Sequence, residues 1–173
     1  MKNILITGAN GQLGSEMRLL ANADTNNEYI FTDVNQMEGR TTIHLDITNR
    51  EAVCQMVQAE GIDAIVNCAA WTNVDGAEDN KEACYKVNVE GTKNITDACR
   101  NIGAKLIYIS TDYVFNGQGE KPWTADCKDY APLSVYGQSK LDGELAVANT
   151  LEKYFIVRTA WVFGINGKNF ISK

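Results

Sequence analysis

The sequence predicts an α/β fold, a doubly wound parallel sheet with helices on both faces. Three observations carry that prediction. Short apolar runs alternate with stretches of helical periodicity along the 173 residues. A glycine-rich segment, Thr7-Gly8-Ala9-Asn10-Gly11-Gln12-Leu13-Gly14, sits between the first apolar run and the first helical stretch. Tyr136 and Lys140, four apart, lie in a later helical stretch about 120 residues downstream. Regular strand–helix alternation closes through right-handed crossovers into a parallel sheet.

Taken in order, residues 2–7 (KNILIT) form the first strand. This run has the apolar look of a signal peptide, but it leads straight into the glycine turn with no small-residue cleavage site. Residues 12–22 carry Leu13, Met17 and Leu20 at helical spacing. Residues 28–33 (EYIFTD) and 41–45 (TTIHL) read as the second and third strands. Asn49 caps a helix over 50–60, with Ala52, Val53, Met56 and Val57 on one face. Residues 63–68 (DAIVNC) are the fourth strand. A long helix over 81–102 places Ala83, Val87, Gly91, Ile95, Ala98 and Ile102 on one stripe and ends at Gly103. Residues 105–110 (KLIYIS) are the fifth strand, followed by a loop rich in Gly, Pro and Asp from about 116 to 132. Pro132 precedes or opens a helix over 134–150, and 154–159 (YFIVRT) is the sixth strand. The expected strand order is 3-2-1-4-5-6.

Composition narrows the function classes. The length is that of about one domain. A hydrophobic fraction of 45% and a charged fraction of 22% are ordinary for a soluble globular chain. A net charge of -6 and a pI near 4.8 argue against a nucleic-acid partner, which wants a basic surface. No apolar run approaches the ~20 residues of a membrane span, so no membrane partner is expected. The five cysteines (Cys54, Cys68, Cys84, Cys99 and Cys127) are odd in number and contain no Cys-x-x-Cys pair. They read as reduced core residues of a cytoplasmic protein. His44 is the only histidine, so any catalytic triad or histidine metal site would have to be built on it alone, and none is expected.

The glycine segment has the context that gives such a pattern meaning, a strand before it and a helix after it. Gly8 allows the tight turn. Gly11 lets the backbone approach a pyrophosphate. Gly14 lets the helix pack on the sheet, and the helix amino end offers N–H groups to phosphates. Residues 1–173 therefore read as one dinucleotide-binding domain of Rossmann type. Asp33 ends the second strand, 19 residues after Gly14, where a carboxylate holds an adenosine ribose. That charge favours NAD(H) over NADP(H), and Arg40 is near enough in sequence to soften the preference. A plain turn residue is the other reading of Asp33.

Carbonyl reduction needs a hydride donor and a proton donor. A tyrosine titrates near 10, too high for neutral pH, and a lysine ammonium nearby stabilises its phenolate. An i, i+4 spacing puts Tyr136 and Lys140 on one helix face.

Five segments extend these motifs: TGANGQLGSE, NCAAWTNVDGAE (67–78), STDYVFNGQGEKPW (110–123), PLSVYGQSKLDGE (132–144) and RTAWVFG (158–164). With them the chain resembles the extended short-chain dehydrogenase/reductase family, and within it the reductases of nucleotide-linked 4-keto-6-deoxysugars. The resemblance implies NADH- or NADPH-dependent reduction of the C4 keto group of a dTDP-4-keto-6-deoxy-L-sugar to dTDP-L-rhamnose. It implies Thr111, Tyr136 and Lys140 as the catalytic trio, with Tyr136 the proton donor and Lys140 also on the nicotinamide ribose. Cofactor contacts would fall to Gly8, Gly11, Gln12, Leu13 and Gly14, to Asp33, Asp46 and Ile47, and to Ala69, Ala70 and Thr72. The sugar would meet Thr72, Val74, Thr111, Asp112, Tyr113, Tyr136 and Trp161. Asn88 resembles the family's structural asparagine, and a buried amide bonding backbone is an equal reading.

Residues 68–70 are Cys-Ala-Ala where the family has Ala-Ala-Ala. The family's chains continue for roughly another hundred residues, so a fragment is expected, with the C-terminal substrate domain largely absent and a further helix due to begin near 169–173. Dimers and a bound magnesium ion are known among such relatives and would belong to a full-length protein. A 4,6-dehydratase would want an acid after the Thr-Asp pair and is disfavoured, since this chain has Tyr113 there. Two other readings stay open. A 4-epimerase uses the same Tyr and Lys. A cofactor-binding regulatory protein, like the regulatory subunit of methionine adenosyltransferase, would not need to keep the trio.

Overall fold

Leu5 and Ile6 are fully buried neighbours on the first strand, and they found two different cores. Successive residues of a strand point to opposite faces, so a sheet that buries both must be covered on both sides. The computed structural model describes residues 1–167, 169 and 171. In it β1 (Asn3–Thr7), β2 (Glu28–Asp33), β3 (Ile43–His44), β4 (Ala64–Asn67), β5 (Lys105–Thr111) and β6 (Tyr154–Thr159) form one parallel sheet in the order β3-β2-β1-β4-β5-β6. The expected topology is the observed one.

On the Leu5 side, Ile65, Leu106 and Tyr108 of the strands meet Val53 and Val57 of α2 (Arg50–Ala59). The same core takes Ile95, Ala98 and Cys99 of α5 (Thr92–Ile102) and Val147 of α6 (Val135–Thr150). On the Ile6 side, Val66 and Ala9 pack with Met17 of α1 (Gln12–Ala23). Arg18 of α1 stacks its guanidinium 4.2 Å above the Phe31 ring on that face. Among the described residues, helices on both faces thus means three on one side and α1 on the other. β6 leaves Phe155 66% and Val157 43% exposed, while its alternate residues Tyr154 and Ile156 pack into the Leu5 core.

The long helix expected over 81–102 is three segments. α4 (Lys81–Tyr85) runs into a π-helical turn, Lys86–Gly91, and then into α5. A π turn takes more residues than an α turn, so it rotates the face that follows it. The predicted stripe therefore breaks: Ala83 is exposed, and its neighbour Cys84 is the buried residue. Gly91 fits here because a Cβ would stand 2.7 Å from the Ile47 side chain. Gly103 ends α5 at φ 72, as expected.

Two short elements were not anticipated. α3 (Val74–Asp79) begins at Asn73, whose side chain accepts from Gly76 N–H. A 3₁₀ turn, Asp112–Val114, follows β5 at once. The third strand shrinks from 41–45 to two residues because only Ile43 and His44 pair with Thr32 and Asp33. Asn49 caps α2 as expected, accepting from Ala52 N–H. Pro132 precedes α6, and Ser134 caps it, accepting from Gly137 N–H. Most of the further helix expected near 169–173 lies outside the described residues.

Candidate active site

The turn after β1 is built around absent side chains. Gly8 has φ 62, and a Cβ there would stand 2.6 Å from the Ala69 backbone nitrogen. A Cβ on Gly14 would stand 2.5 Å from the Ala9 Cα. These contacts draw the start of α1 against the ends of β1 and β4. Gly11 is the N-cap of α1 and offers no side-chain cap. The first helical bond is from Ser15 N–H to the Gly11 carbonyl, so the amides of Gln12, Leu13 and Gly14 precede it and stand at the positive end of the helix.

Beside that helix end, a cleft of about 610 Å³ opens at the carboxyl ends of β1, β4, β5 and β6. It brings together most of the expected residues: Gln12, Leu13, Ala70, Thr72, Val74, Thr111, Asp112, Tyr113, Tyr136, Lys140 and Trp161. A smaller hollow of about 290 Å³ adjoins it and is lined by Gly8, Asp33, Asp46, Ile47, Ala69 and Ala70. Gly11 and Gly14 line neither; they shape the turn. Sequence reasoning missed Asn67, Ser110 and Thr159, all lining the cleft at strand ends. Asn67 Nδ2 and Ser110 Oγ are buried with no hydrogen-bond partner among the described residues. Their position at carboxyl strand ends was the available signal.

Tyr136 stands in the first turn of α6. Its ring meets Tyr113 edge to face, with centroids 5.7 Å apart at 75°. The 3₁₀ turn and α6 can approach this closely because Gly137 carries no side chain: a Cβ would collide with the Tyr113 carbonyl. Thr111 Oγ1 donates to Asp112 Oδ1 at 3.2 Å and accepts from Tyr113 N–H at 3.2 Å. Burial pushes the Tyr136 phenol above its ordinary range, and the Thr111 hydroxyl opposes that shift.

Lys140 corrects a sequence expectation. Its ammonium was expected to lower the tyrosine. In the structure Lys140 Nζ donates to the Ile109 carbonyl at 2.7 Å and lies 4.1 Å above the Tyr108 ring. The residue is only 3% exposed, so the ammonium takes the nearest carbonyl and π face in place of water. Burial brings it down to about 7, with Glu144 and Cys84 acting in the opposite direction. Both side chains still line the one cleft.

Asp33 is more than a ribose ligand in waiting. Its Oδ2 accepts from Asn10 N–H at 3.0 Å and its Oδ1 from Asn35 N–H at 2.9 Å. It therefore also organises the glycine turn and the end of β2. Arg40 points elsewhere, donating to Ser15 Oγ at 2.6 Å and to Asn166 Oδ1 at 3.2 Å. Asn88, in the π turn, bonds the Trp71 backbone and Ser139 Oγ, the bland reading of that residue. Among the described residues, no three His, Cys, Asp or Glu side chains gather to hold a metal ion, and nothing supports the magnesium expectation. Nor is any helix there long and apolar enough to cross a membrane.

The fold recurs in proteins of known family. The chain belongs to the RmlD substrate binding domain family. The match covers residues 1–173. A dTDP-4-dehydrorhamnose reductase of Streptomyces griseus is 42% identical over 98% of this chain and 53% of its own length. The enzyme of the same name from Escherichia coli is 40% identical over 97% of this chain and 54% of its own. Among solved structures, a Clostridium acetobutylicum dTDP-4-dehydrorhamnose reductase superposes with TM-score 0.88 at 43% identity, covering 98% of this chain and 56% of that one. The Bacillus anthracis enzyme, in complex with NADP, gives 0.86 at 40% identity, covering 98% and 57%. The chain spans about half the length of the curated relatives it matches. For this RmlD-family chain, the resemblance read from the five sequence segments is borne out.

Proposed function

We propose that this chain is the cofactor-holding and catalytic part of a reductase that converts a dTDP-4-keto-6-deoxy-L-sugar to dTDP-L-rhamnose, with NADH or NADPH as reductant. One observation carries the reading: Thr111, Tyr136 and Lys140 line the same cleft as Gln12 and Leu13 at the amino end of α1. A phenol, a hydroxyl and an ammonium face the space next to a helix end suited to a pyrophosphate. The relatives' names support a sugar-nucleotide substrate, and the Bacillus anthracis relative was solved in complex with NADP.

The residues fit a nicotinamide dinucleotide. The hollow that runs from Gly8 to Asp33 and Asp46 adjoins the cleft, and Asn67 and Ser110 at the cleft carry side-chain polar atoms without a partner among the described residues. Gly11, Gln12, Leu13 and Gly14 would hold the pyrophosphate. Asp33 would hold the adenosine ribose, Asp46 and Ile47 the adenine, and Ala69, Ala70 and Thr72 the part nearer the cleft. When bound, the reduced nicotinamide supplies the hydride.

Everything else falls to the chain. Thr72, Val74, Asp112, Tyr113 and Trp161 orient the sugar. The Thr111 hydroxyl holds the C4 carbonyl oxygen. Tyr136 gives its proton to that oxygen as the alkoxide forms, against the upward pull of burial on its phenol, which the Thr111 hydroxyl opposes. Lys140, held by the Ile109 carbonyl at the wall of the same cleft, would act on the nicotinamide ribose.

The test is consumption of NADH or NADPH with dTDP-4-keto-6-deoxy-L-sugar, in a polypeptide of the relatives' full length. Stoichiometric cofactor oxidation with appearance of dTDP-L-rhamnose is the expected result. Interconversion of C4 epimers without net oxidation would replace the reading with an epimerase. Tight cofactor binding without turnover would replace it with a regulatory protein.

A further inference from the structure

One turn of α6 beyond Lys140 lies Glu144, 2% exposed, a buried carboxylate the reaction above does not use. Its two oxygens take two bonds from Arg158 of β6: Nε to Oε1 at 2.9 Å and Nη2 to Oε2 at 2.7 Å. The fork is completed by Arg158 Nη2 on the Tyr130 hydroxyl at 2.9 Å, and the guanidinium stacks 5.2 Å from the Phe115 and Tyr130 rings. A bidentate pair of this kind fixes α6 against β6.

Buried ion pairs are weak sources of stability, because desolvation offsets most of their attraction. A buried charge so close to a buried lysine therefore calls for another role. Residues at i and i+4 on a helix are side-by-side neighbours. The groups that act on Lys140 are Glu144 of its own helix, Tyr108 of β5 and Cys84 of α4, while Tyr136 stands one turn before it on α6, with Asp112 acting on Tyr136. Glu144 is the carboxylate of that set that shares the Lys140 seam, and Arg158 takes both its oxygens.

We propose that Glu144 is a positioning residue for Lys140: its carboxylate, shared with Arg158, strengthens the lysine's hold on its proton inside a buried helix–sheet seam. Arg158 is the regulator of that effect, because the share of negative charge it neutralises is a share Lys140 does not feel. Burial and Glu144 act on Lys140 in opposite directions, and the balance leaves its ammonium at about 7. The inference deepens the proposed function and rests on it only for the use made of Lys140.

The experiment does not require turnover. The folded chain is labelled at lysine Cε, and the Lys140 carbon signal is followed by NMR through a pH titration. Glu144→Gln should move its titration down by roughly one unit or more, as expected for loss of a charge one helical turn away. Arg158→Met should move it up, since Glu144 is then left to Lys140 alone. Glu144→Asp, which keeps the charge, should leave it near the native value. If the pair only braces α6, both neutralising variants loosen the seam, water reaches Lys140, and both titrations rise together; that result, or no movement, overturns the proposal. If Glu144→Gln does not fold, the double variant Glu144→Gln with Arg158→Met carries the test, a fall supporting the proposal and a rise overturning it. In a full-length enzyme the limb of the kcat/KM pH profile that reports Lys140 should follow the same signs. An enzyme with no activity but the expected NMR shifts would sink the proposed reaction and leave the Glu144 inference standing.

Discussion

The Asn88 side chain holds the Trp71 backbone at both ends of its carboxamide. Oδ1 accepts from Trp71 N–H at 2.8 Å, and Nδ2 donates to the Trp71 carbonyl at 3.1 Å. The same Nδ2 reaches Ser139 Oγ at 2.9 Å, and that hydroxyl donates to the Tyr136 carbonyl at 2.7 Å. The π turn, the loop after β4 and the helix that bears Tyr136 are thus tied at one point. Asn88→Ala should cost about 1–3 kcal/mol by stranding these groups. Urea unfolding measures it; a loss under half a kcal/mol, read against the ~1 kcal/mol net worth of a typical hydrogen bond, would mean the clamp is idle.

Gly143→Ala tests the packing behind that clamp. Alanine gains about 1 kcal/mol over glycine in an exposed helix. Here a Cβ would collide with the Tyr108 hydroxyl and stand 2.9 Å from the Asn88 carbonyl. Overpacking of a tight core costs about 1–3 kcal/mol, so the clash should win and the variant should melt lower than the native chain. A higher Tm would refute this.

The two glycines of the turn should fail differently. Gly8 has φ 62 with backbone 2.6 Å from a would-be Cβ, so Gly8→Ala should destabilise the fold itself. Gly11 has φ -72, open to any residue, and its Cβ would meet only the Gly8 carbonyl, at 3.3 Å. Gly11→Val should therefore fold and yet lose NADH and NADPH binding, because the side chain takes the place of the pyrophosphate. Calorimetry on the folded variant decides it, and native affinity would remove the glycine turn from the cofactor site.

Asp33 should set cofactor preference. NADH should bind at least as well as NADPH, since a 2′-phosphate near a carboxylate costs about 1 kcal/mol at a water-like dielectric and more if partly buried. Asp33→Asn keeps the acceptor for Asn10 or Asn35 while removing the charge, and should narrow the gap between the two cofactors. A native preference for NADPH would show that nearby cations dominate, with Arg18 and Arg40 the residues to vary next.

Tyr136→Phe should lower turnover by roughly 10²–10⁴-fold, the usual weight of a positioned general acid, with cofactor affinity nearly unchanged. Lys140→Ala should reduce both turnover and cofactor binding. The double variant should lose much less than the product of the two, because the residues act as one unit. Near-native turnover of Tyr136→Phe with dTDP-4-keto-6-deoxy-L-sugar would rule out the proton-donor role.

The sequence by itself determined the sheet and the order of its strands. β2 and β6 fall on the residues their apolar runs predict, since strand runs, glycine turns and helix caps are local signals that tertiary contacts here reinforce. It also pointed to most of the residues that line the cleft, though not to Asn67, Ser110 or Thr159, because a parallel sheet brings its carboxyl strand ends to one edge. The break in the 81–102 helix was not legible. A π turn has no strong local signature, and this one is settled by Asn88 reaching Trp71 and by Gly91 passing Ile47. Nor was the direction of Lys140 legible: spacing puts it on the face of Tyr136, but the Ile109 carbonyl and the Tyr108 ring, some thirty residues away in the chain, decide where its ammonium rests. Periodicity fixes which face a side chain occupies. Only the packed neighbours fix what a buried charge can pair with, because desolvation forces it onto whichever acceptor the tertiary structure supplies.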